Sequence, residues 1–536
     1  MSLSVKIHGA ARTVTGSCLE FAGSKGRLLV DCGLFQGSRT LEEMNFDPRV
    51  ENAAGLDGVI LTHAHIDHSG LLPRLVRDGF AGPIWCTPQT AELLEYMLAD
   101  SGRIQEGEAE RINRRRDREG DKAIEPLYTE ADALEAWGMT RPVELGEWFE
   151  PAPGFRARLW NAGHILGSAS AEIEASGVRV MVSGDVGPDN KAFHPDPDGP
   201  CCFDHVFCES TYGDRAREKH SIAERREMLA GIVNESRARG GNLIIPSFAL
   251  ERTQELLLDL ACLSRDGRIG NAMVFVDSPL ANRATQVFAR HVESLEDTDG
   301  LNVFESPAIH YVNDVSESVR LNSISGAIIL AASGMCEAGR IRHHLIHNLH
   351  RRDSTVLFVG FQAEGSLGRV IMEGAERVRI SGRDVLVRAQ IRRIDSYSAH
   401  ADQSELLDWI AARAPIAGSL FLEHGESGAI DALAGLAKER GLAPSIVVPE
   451  IGEAWKLEPA SPASRTRTGG LEARKAVGRD WQNSYAELAS SLKQRLLKIQ
   501  DAEAREHAIA EMREVLDSYA AFRETKKARN KGHRAR

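Results

Sequence analysis

Gly58-Val59-Ile60-Leu61-Thr62-His63-Ala64-His65-Ile66-Asp67-His68 is the stretch that decides the fold of this chain. Its first five residues are an apolar run that predicts a buried strand, and Gly70 to Asp78 beyond it predicts the start of a helix. Between them His63, His65, Asp67 and His68 are all good metal ligands. Side chains at a strand end and in the tight turn after it point into one pocket. Imidazoles and a carboxylate crowded there suit Zn²⁺, which takes nitrogen and oxygen ligands when no thiolate is offered. One short loop supplies more ligands than a single open catalytic site needs, which points to a pair of metals. A polar turn with surface histidines is the plainer reading, and the tight spacing between strand and helix speaks against it.

Further ligand candidates end other predicted strands. His164 closes Trp160-Asn161-Ala162-Gly163-His164, Asp185 closes Met181-Val182-Ser183-Gly184-Asp185, and His424 lies in Leu422-Glu423-His424-Gly425. Asp31 follows Leu28-Leu29-Val30 in the same manner. Small neighbours let the backbone approach a crowded site. Alone, each is an ordinary structural residue; with the hexamer they form a constellation.

A chain of 536 residues predicts about three or four domains. Hydrophobic residues at 42% and charged residues at 26% are ordinary for a soluble protein. No apolar run approaches the roughly 18 residues of a membrane helix. Met1-Ser2-Leu3-Ser4-Val5-Lys6 lacks the features of a signal peptide, so the expected location is cytoplasmic. None of the eight cysteines forms a CxxC pair, which disfavours a thiolate zinc site. The net charge of -12 argues against broad, non-specific nucleic-acid binding, but a local basic groove is compatible with it.

Residues 1–206 read as short strands broken by one helical stretch, Ala91 to Arg118, which carries Arg111, Arg114, Arg115, Arg116 and Arg118. Such a run is ordinarily a solvated helix face; the sharper alternative is the edge of a nucleic-acid groove. Residues 207–395 alternate strands such as Leu243-Ile244-Ile245-Pro246 with helices, which predicts a parallel sheet covered on both faces. Residues 396–458 return to short strands and one helix, Gln403 to Ala412, and most simply rejoin the first part, making the middle block an insertion. Residues 459–536 read as a linker (Glu458 to Ser464), a helical extension and a basic tail from Lys526. In the extension Val477, Trp481, Tyr485, Leu488, Leu492, Leu496 and Ile499 recur at helical spacing, and Ile509, Met512, Leu516 and Tyr519 continue the stripe. It packs on the body of the protein or makes a homodimer contact.

The pattern His63-x-His65-x-Asp67-His68, with Asp31 before it and His164 and Asp185 after it, resembles the metallo-β-lactamase superfamily. A second set of motifs resembles the superfamily's β-CASP branch of nucleic-acid-processing enzymes. Glu209, in Cys208-Glu209-Ser210-Thr211, matches that branch's acidic motif; His400, in Ser398-Ala399-His400-Ala401-Asp402, and His424 match its two histidine motifs. Pro246-Ser247-Phe248-Ala249-Leu250-Glu251-Arg252, Ser333-Gly334-Met335 and Gly360-Phe361-Gln362 to Arg369 look like signatures of its inserted domain. The motif set looks closest to prokaryotic RNA-processing members, which are similar to the cleavage and polyadenylation endonuclease subunit. The resemblance covers residues 1 to about 458 and not the C-terminal extension.

The resemblance implies an α/β fold: an αβ/βα sandwich with an inserted parallel β-CASP domain and, here, a C-terminal helical extension. It implies two Zn²⁺ ions, one held by His63, His65 and His164, the other by Asp67, His68 and His424, with Asp185 bridging and Asp31 orienting a ligand histidine. The implied activity is a zinc-dependent ribonuclease, exo- or endonucleolytic, hydrolysing single-stranded RNA through a hydroxide activated by both metals. Asp67 would orient the nucleophile, and His400, held by Glu209, would contact the phosphate or protonate the leaving 3′-oxygen. Ser333, His344, Arg252 and Arg369 are candidates for phosphate contacts, for which the planar guanidinium is well shaped. Other hydrolases of the superfamily, acting on DNA or on small esters and thioesters, are the rival reading. The small-molecule members lack an insertion like the one of about 240 residues separating Asp185 from His424. A scaffold subunit on a dead site is a further rival, and the presence of every expected ligand opposes it.

Overall fold

Eight strands form one sheet, in the order Ser461–Arg467, Ala454–Glu458, Leu3–Ile7, Leu19–Ala22, Arg27–Val30, Gly58–Ile60, Ile84–Cys86, Thr140–Pro142. Seven form a second: Ser445–Val447, Ile416–Glu423, Phe203–Glu209, Val178–Val182, Ala169–Ala175, Phe155–Asn161, Trp148–Phe149. This computed structural model describes residues 3–37, 39–119, 121–217, 220–298, 303–360, 362, 366–469, 492, 496 and 498–516. Alternating side chains of both sheets meet in one buried core, Leu3, Val5, Ile7, Phe21 and Val30 from the first and Ala157, Leu159, Ile173, Val180, Phe207 and Phe421 from the second. Phe207 stacks on Phe421 with centroids 4.3 Å apart and takes the edge of Phe21, across the core, at 5.7 Å. Phe207→Ala should therefore cost about 3–5 kcal/mol of stability, measurable by denaturant unfolding.

The opposite faces carry helices. Leu29, Val59 and Leu61 pack under Leu94 and Leu98 of the Pro88–Glu119 helix and Ala133 and Ala136 of the Glu130–Gly138 helix. Met181, Val206 and Leu420 pack under Leu406 and Ile410 of the Gln403–Ala411 helix and Ile430 and Leu433 of the Ser427–Glu439 helix. The result is the expected αβ/βα sandwich. A third sheet of six strands, ordered Ile309–Tyr311, Val274–Val276, Ile328–Ala331, Leu243–Pro246, Thr355–Phe358, Gln390–Arg393, is parallel throughout. Leu243 and Ile245 face one helical layer and Ile244 faces the other, so both faces are covered and the strands read as continuous apolar runs.

Four expectations need correction. The stretch from Glu458 to Ser464 is not a linker: Ser461–Arg467 pairs antiparallel with Ala454–Glu458 around Pro459 and Ala460. It is an edge strand, where Pro462 is tolerated, and its Ser-Pro-Ala composition gives no apolar period to read. Residues 396–458 hold a second helix, Ser427–Glu439, whose buried face includes the weakly apolar Ala429 and Ala437. The first part also has a second long helix, Glu130–Gly138, started by a capping box between Thr129 and Asp132. The strand Phe203–Glu209 runs across the expected boundary at 206 and lies entirely in the second sheet.

Contacts divide the chain into residues 1–477 and 478–536. In the second unit residues 502–516 are helical, with Ile509 and Met512 half-buried and Leu516 70% exposed. Val477, Trp481, Tyr485, Leu488, Tyr519 and the basic tail lie outside the described residues. No helix among the described residues is long and apolar enough to cross a membrane.

Candidate metal centre

The predicted ligands sit where strands of the sandwich end, except Asp67 and His68, which lie on the short Ile66–Ser69 helix just beyond one such end. Asp31 follows Arg27–Val30, His63 lies just past Gly58–Ile60, Asp185 lies past Val178–Val182, and His424 follows Ile416–Glu423. Carboxyl ends of parallel strands are where open α/β sheets place their sites. The hexamer turn is braced by the loop after Asp31: Cys32 N–H donates to His68 O at 2.8 Å and Leu34 N–H to Ile66 O at 2.9 Å. Gly33 is required in that brace, because a Cβ there would lie 1.6 Å from the carbonyl oxygen of Asp67. Asp31 and His424 adopt left-handed backbone, φ 60° and 48°, a conformation held at the site by the surrounding fold.

Two sets of the predicted ligand atoms result. His63, His65, His164 and Asp185 converge within 4.8 Å of one another, and so do Asp67, His68 and His424; Asp185, Glu209 and His400 converge as closely as a third group. Asp185 stands between the sets. Its Oδ2 lies 3.5 Å from Nε2 of both His63 and His164. Its Oδ1 lies 3.2 Å from Nε2 of His68 and 3.5 Å from Nδ1 of His424. His164 Nε2 faces His65 Nδ1 at 3.1 Å, and His68 Nε2 faces His424 Nε2 at 3.1 Å. Buried His63 Nε2 and Asp185 Oδ1 have no hydrogen-bond partner. Facing imidazole nitrogens, with one orphaned buried atom turned toward each set, suit divalent metals.

The electrostatics agree. Burial pushes His63 and His164 well below the usual imidazole range and His65 down to about 4, leaving neutral rings with free lone pairs. Burial opposes the charged form of His68 and His424 too, but Asp185 with Asp31 holds His68 well up, and Asp185 with Asp67 raises His424 to about 9. Burial would raise Asp185, yet His424 and His68 hold it well below the carboxylate range. A metal held by the second set would have to displace imidazole protons.

The ligands are themselves held. Asp31 Oδ2 accepts from His68 Nδ1 at 2.7 Å, and Asp31 Oδ1 accepts from Thr62 N–H at 2.8 Å. Thr62 Oγ1 is 3.0 Å from His63 Nδ1, and the Ala399 carbonyl accepts from His164 Nδ1 at 2.8 Å. Thr62 adjoins the hexamer and could have been suspected; a backbone carbonyl at residue 399 carries no side-chain signal. Asp31→Asn should weaken metal binding about 10- to 100-fold with the fold intact, as measured by chelator competition. Unchanged affinity would remove Asp31 from this role.

Glu209 and His400 come together as the sequence predicts. Glu209 Oε1 lies 3.1 Å from His400 Nδ1, and the carboxylate is pinned by N–H groups of Val186 at 2.8 Å and Thr211 at 3.1 Å. The His400 ring lies 4.4 Å from that of His164. The three inserted motifs also converge: Gln362 Nε2 donates to Gly334 O at 2.9 Å, and Arg252 Nη1 donates to Val359 O at 2.8 Å beside Phe248. Ser333 Oγ accepts from Ala338 N–H at 3.2 Å, and Arg369 pairs with Glu373 at 2.6 Å. His344 is fully buried, its Nε2 held by Asp277 at 2.6 Å and its Nδ1 without a partner. Phe361 lies outside the described residues. Arg111 pairs with Glu108 at 3.0 Å in the open, as a solvated helix face does.

The chain belongs to the metallo-beta-lactamase superfamily and to its beta-CASP branch. Residues 12–218 match the family described as metallo-beta-lactamase superfamily, and residues 253–371 match the Beta-Casp domain. Residues 384–449 match the Zn-dependent metallo-hydrolase RNA specificity domain. Ribonuclease TTHA0252 of Thermus thermophilus is 36% identical over 444 residues, spanning 81% of this chain and 95% of that protein. Transcription termination factor FttA of Methanocaldococcus jannaschii is 31% identical over 445 residues, 79% of this chain and 67% of that protein.

Proposed function

We propose that this chain is a metal-dependent ribonuclease that hydrolyses phosphodiester bonds of single-stranded RNA in the cytoplasm, with two zinc ions as its cofactor. The observation that carries the reading is Asp185, whose two oxygens divide between two complete ligand sets. His63, His65 and His164 would hold one ion, Asp67, His68 and His424 the other, with Asp185 shared. When bound, a metal pair supplies an activated water and neutralises charge on the phosphoryl oxygens.

The chain's own residues do the rest. Asp67, 24% exposed, faces the open side of the site and orients incoming water. Glu209 accepts at Nδ1 of His400, which leaves Nε2 to carry the proton handed to the leaving 3′-oxygen. Ser333, just past the Ile328–Ala331 strand, and Arg252 and Arg369, on the Arg252–Arg265 and Leu367–Met372 helices, bind backbone phosphates; His344 is fully buried on Asp277 and acts, if at all, from behind them. The likeness to a protein named a ribonuclease and the match to an RNA specificity domain support RNA over DNA.

The test is cleavage of RNA labelled at either end beside the same sequence in DNA, comparing zinc-loaded protein with an Asp67→Ala His68→Ala variant. Mononucleotides released from one end, absent with the variant, identify an exonuclease and its polarity. Internal fragments identify an endonuclease. Cleavage of DNA alone, or of neither polymer, overturns the reading.

A further inference from the structure

Glu255 and Asp259 lie four residues apart on one face of the Arg252–Arg265 helix of the inserted block, and Glu251, with non-helical backbone, stands at the start of that helix. All three are at most 1% exposed, so the face is an acidic stripe buried inside the protein. The partners of its two ends come largely from the segments that carry the metal centre.

Glu251 Oε2 accepts from Leu166 N–H at 3.2 Å, two residues beyond the ligand His164. Glu251 Oε1 takes Lys191 Nζ at 2.9 Å and His194 Nε2 at 2.8 Å, both on the loop that follows Asp185. Lys191 Nζ also donates to the carbonyl oxygen of His164 itself. One carboxylate thus ties together the loops of two ligands assigned to the first metal set. Burial alone would raise its pKa, but His194 and Lys191 bring it down to about 2, so it stays ionised. At the far end Asp259 Oδ2 accepts from Tyr397 Oη at 2.8 Å, three residues before His400, and from Arg225 Nε at 2.8 Å. Arg226 Nε donates to Asp259 Oδ1 at 2.8 Å, and Glu255 Oε1 takes Arg225 Nη1 at 3.3 Å.

We propose that this stripe positions the reaction centre: Glu251 fixes the loops of His164 and Asp185, and Asp259 fixes His400 through Tyr397. Glu251, Asp259, Lys191 and Tyr397 are positioning residues and touch no substrate. Seating the inserted block on the sandwich then assembles the first metal set and the histidine opposite it in one step. Packing alone does not call for such a stripe, since apolar side chains of similar volume in place of a buried ion cluster are often as stable or more so. The His400 arm rests on the ribonuclease reading; the metal arm does not need RNA.

The test uses the full chain, with zinc affinity read by chelator competition and turnover on end-labelled RNA read as separate kcat and KM. Glu251→Gln should weaken zinc binding about 10- to 100-fold. Tyr397→Phe should leave zinc binding and KM at parental values and lower kcat about 10- to 100-fold, as a small misplacement of a reacting group does. Thr285→Val serves as the reference, because it removes a buried bond at 2.9 Å to Gln254 on the same helix but outside the stripe. It should keep both readouts. If Glu251→Gln does not fold, Lys191→Met probes the same tie and should shift zinc affinity in the same direction. The proposal is overturned if Glu251→Gln, or Lys191→Met in its place, lowers only the unfolding temperature, or if Thr285→Val moves zinc affinity as much. Absence of RNA cleavage by the parent would defeat the ribonuclease reading, while the zinc measurements would still decide the role of Glu251.

Discussion

Asp185→Asn is expected to lower RNA hydrolysis by about 10³-fold or more, roughly 4 kcal/mol of transition-state stabilisation, and to reduce bound metal from two ions to at most one. The carboxylate offers an oxygen to each ligand set, at 3.5 Å to His63 and His164 and at 3.2 Å to His68. An amide has a single acceptor oxygen. Whichever way it turns, its NH₂ faces one of the two clusters with a donor where a ligand is needed. It also removes the charge that holds His68 and His424 in their raised range. Metal analysis of purified protein together with single-turnover cleavage checks both halves. Two ions per chain with turnover within tenfold of the parent would end the bridging role.

His400→Ala should separate catalysis from metal binding. Its Nδ1 is committed to Glu209 at 3.1 Å, and its side chain keeps 21% exposure. Under the proposed function it would serve substrate rather than hold an ion. Loss of a general acid costs about 10²- to 10⁴-fold in kcat, and metal content should stay at the parental value. Glu209→Gln should follow in weaker form, because the amide oxygen can still accept from His400 Nδ1 but makes a weaker hydrogen bond than the carboxylate. Loss of metal in parallel with activity would instead make His400 a ligand alongside Asp185, 3.9 Å away.

The metal site was legible because its chemistry needs particular side chains at particular spacings. His63, His65, Asp67 and His68 follow one strand, and a turn of that length can aim them only into a common pocket. The parallel inserted sheet was legible because strands covered on both faces must be apolar throughout, as Ile244 and Ile245 are. Elements whose burial needs little apolar contrast were harder to read. The Ser427–Glu439 helix meets the core partly through alanines, and Ser461–Arg467 is an edge strand that touches the core through the small, half-buried Ala463.

What joins distant parts of the chain belongs to the tertiary structure. The orienting carbonyl of Ala399 at His164, 235 residues away, has no side chain to announce it. The acidic stripe has a visible spacing, yet Glu251, Glu255 and Asp259 at that spacing look like any solvated helix face. Only the fold buries the stripe and brings Lys191, His194, Arg225 and Tyr397 to it. By itself the sequence offered the candidate ligands and the inserted parallel sheet, because local spacing and apolar period follow directly from backbone geometry, while the sandwich came from the family resemblance that its motifs carry. The tertiary structure decided which buried charges hold the ligand loops and which backbone groups orient the ligand rings. Those depend on distances between segments far apart in the chain, which no local pattern encodes.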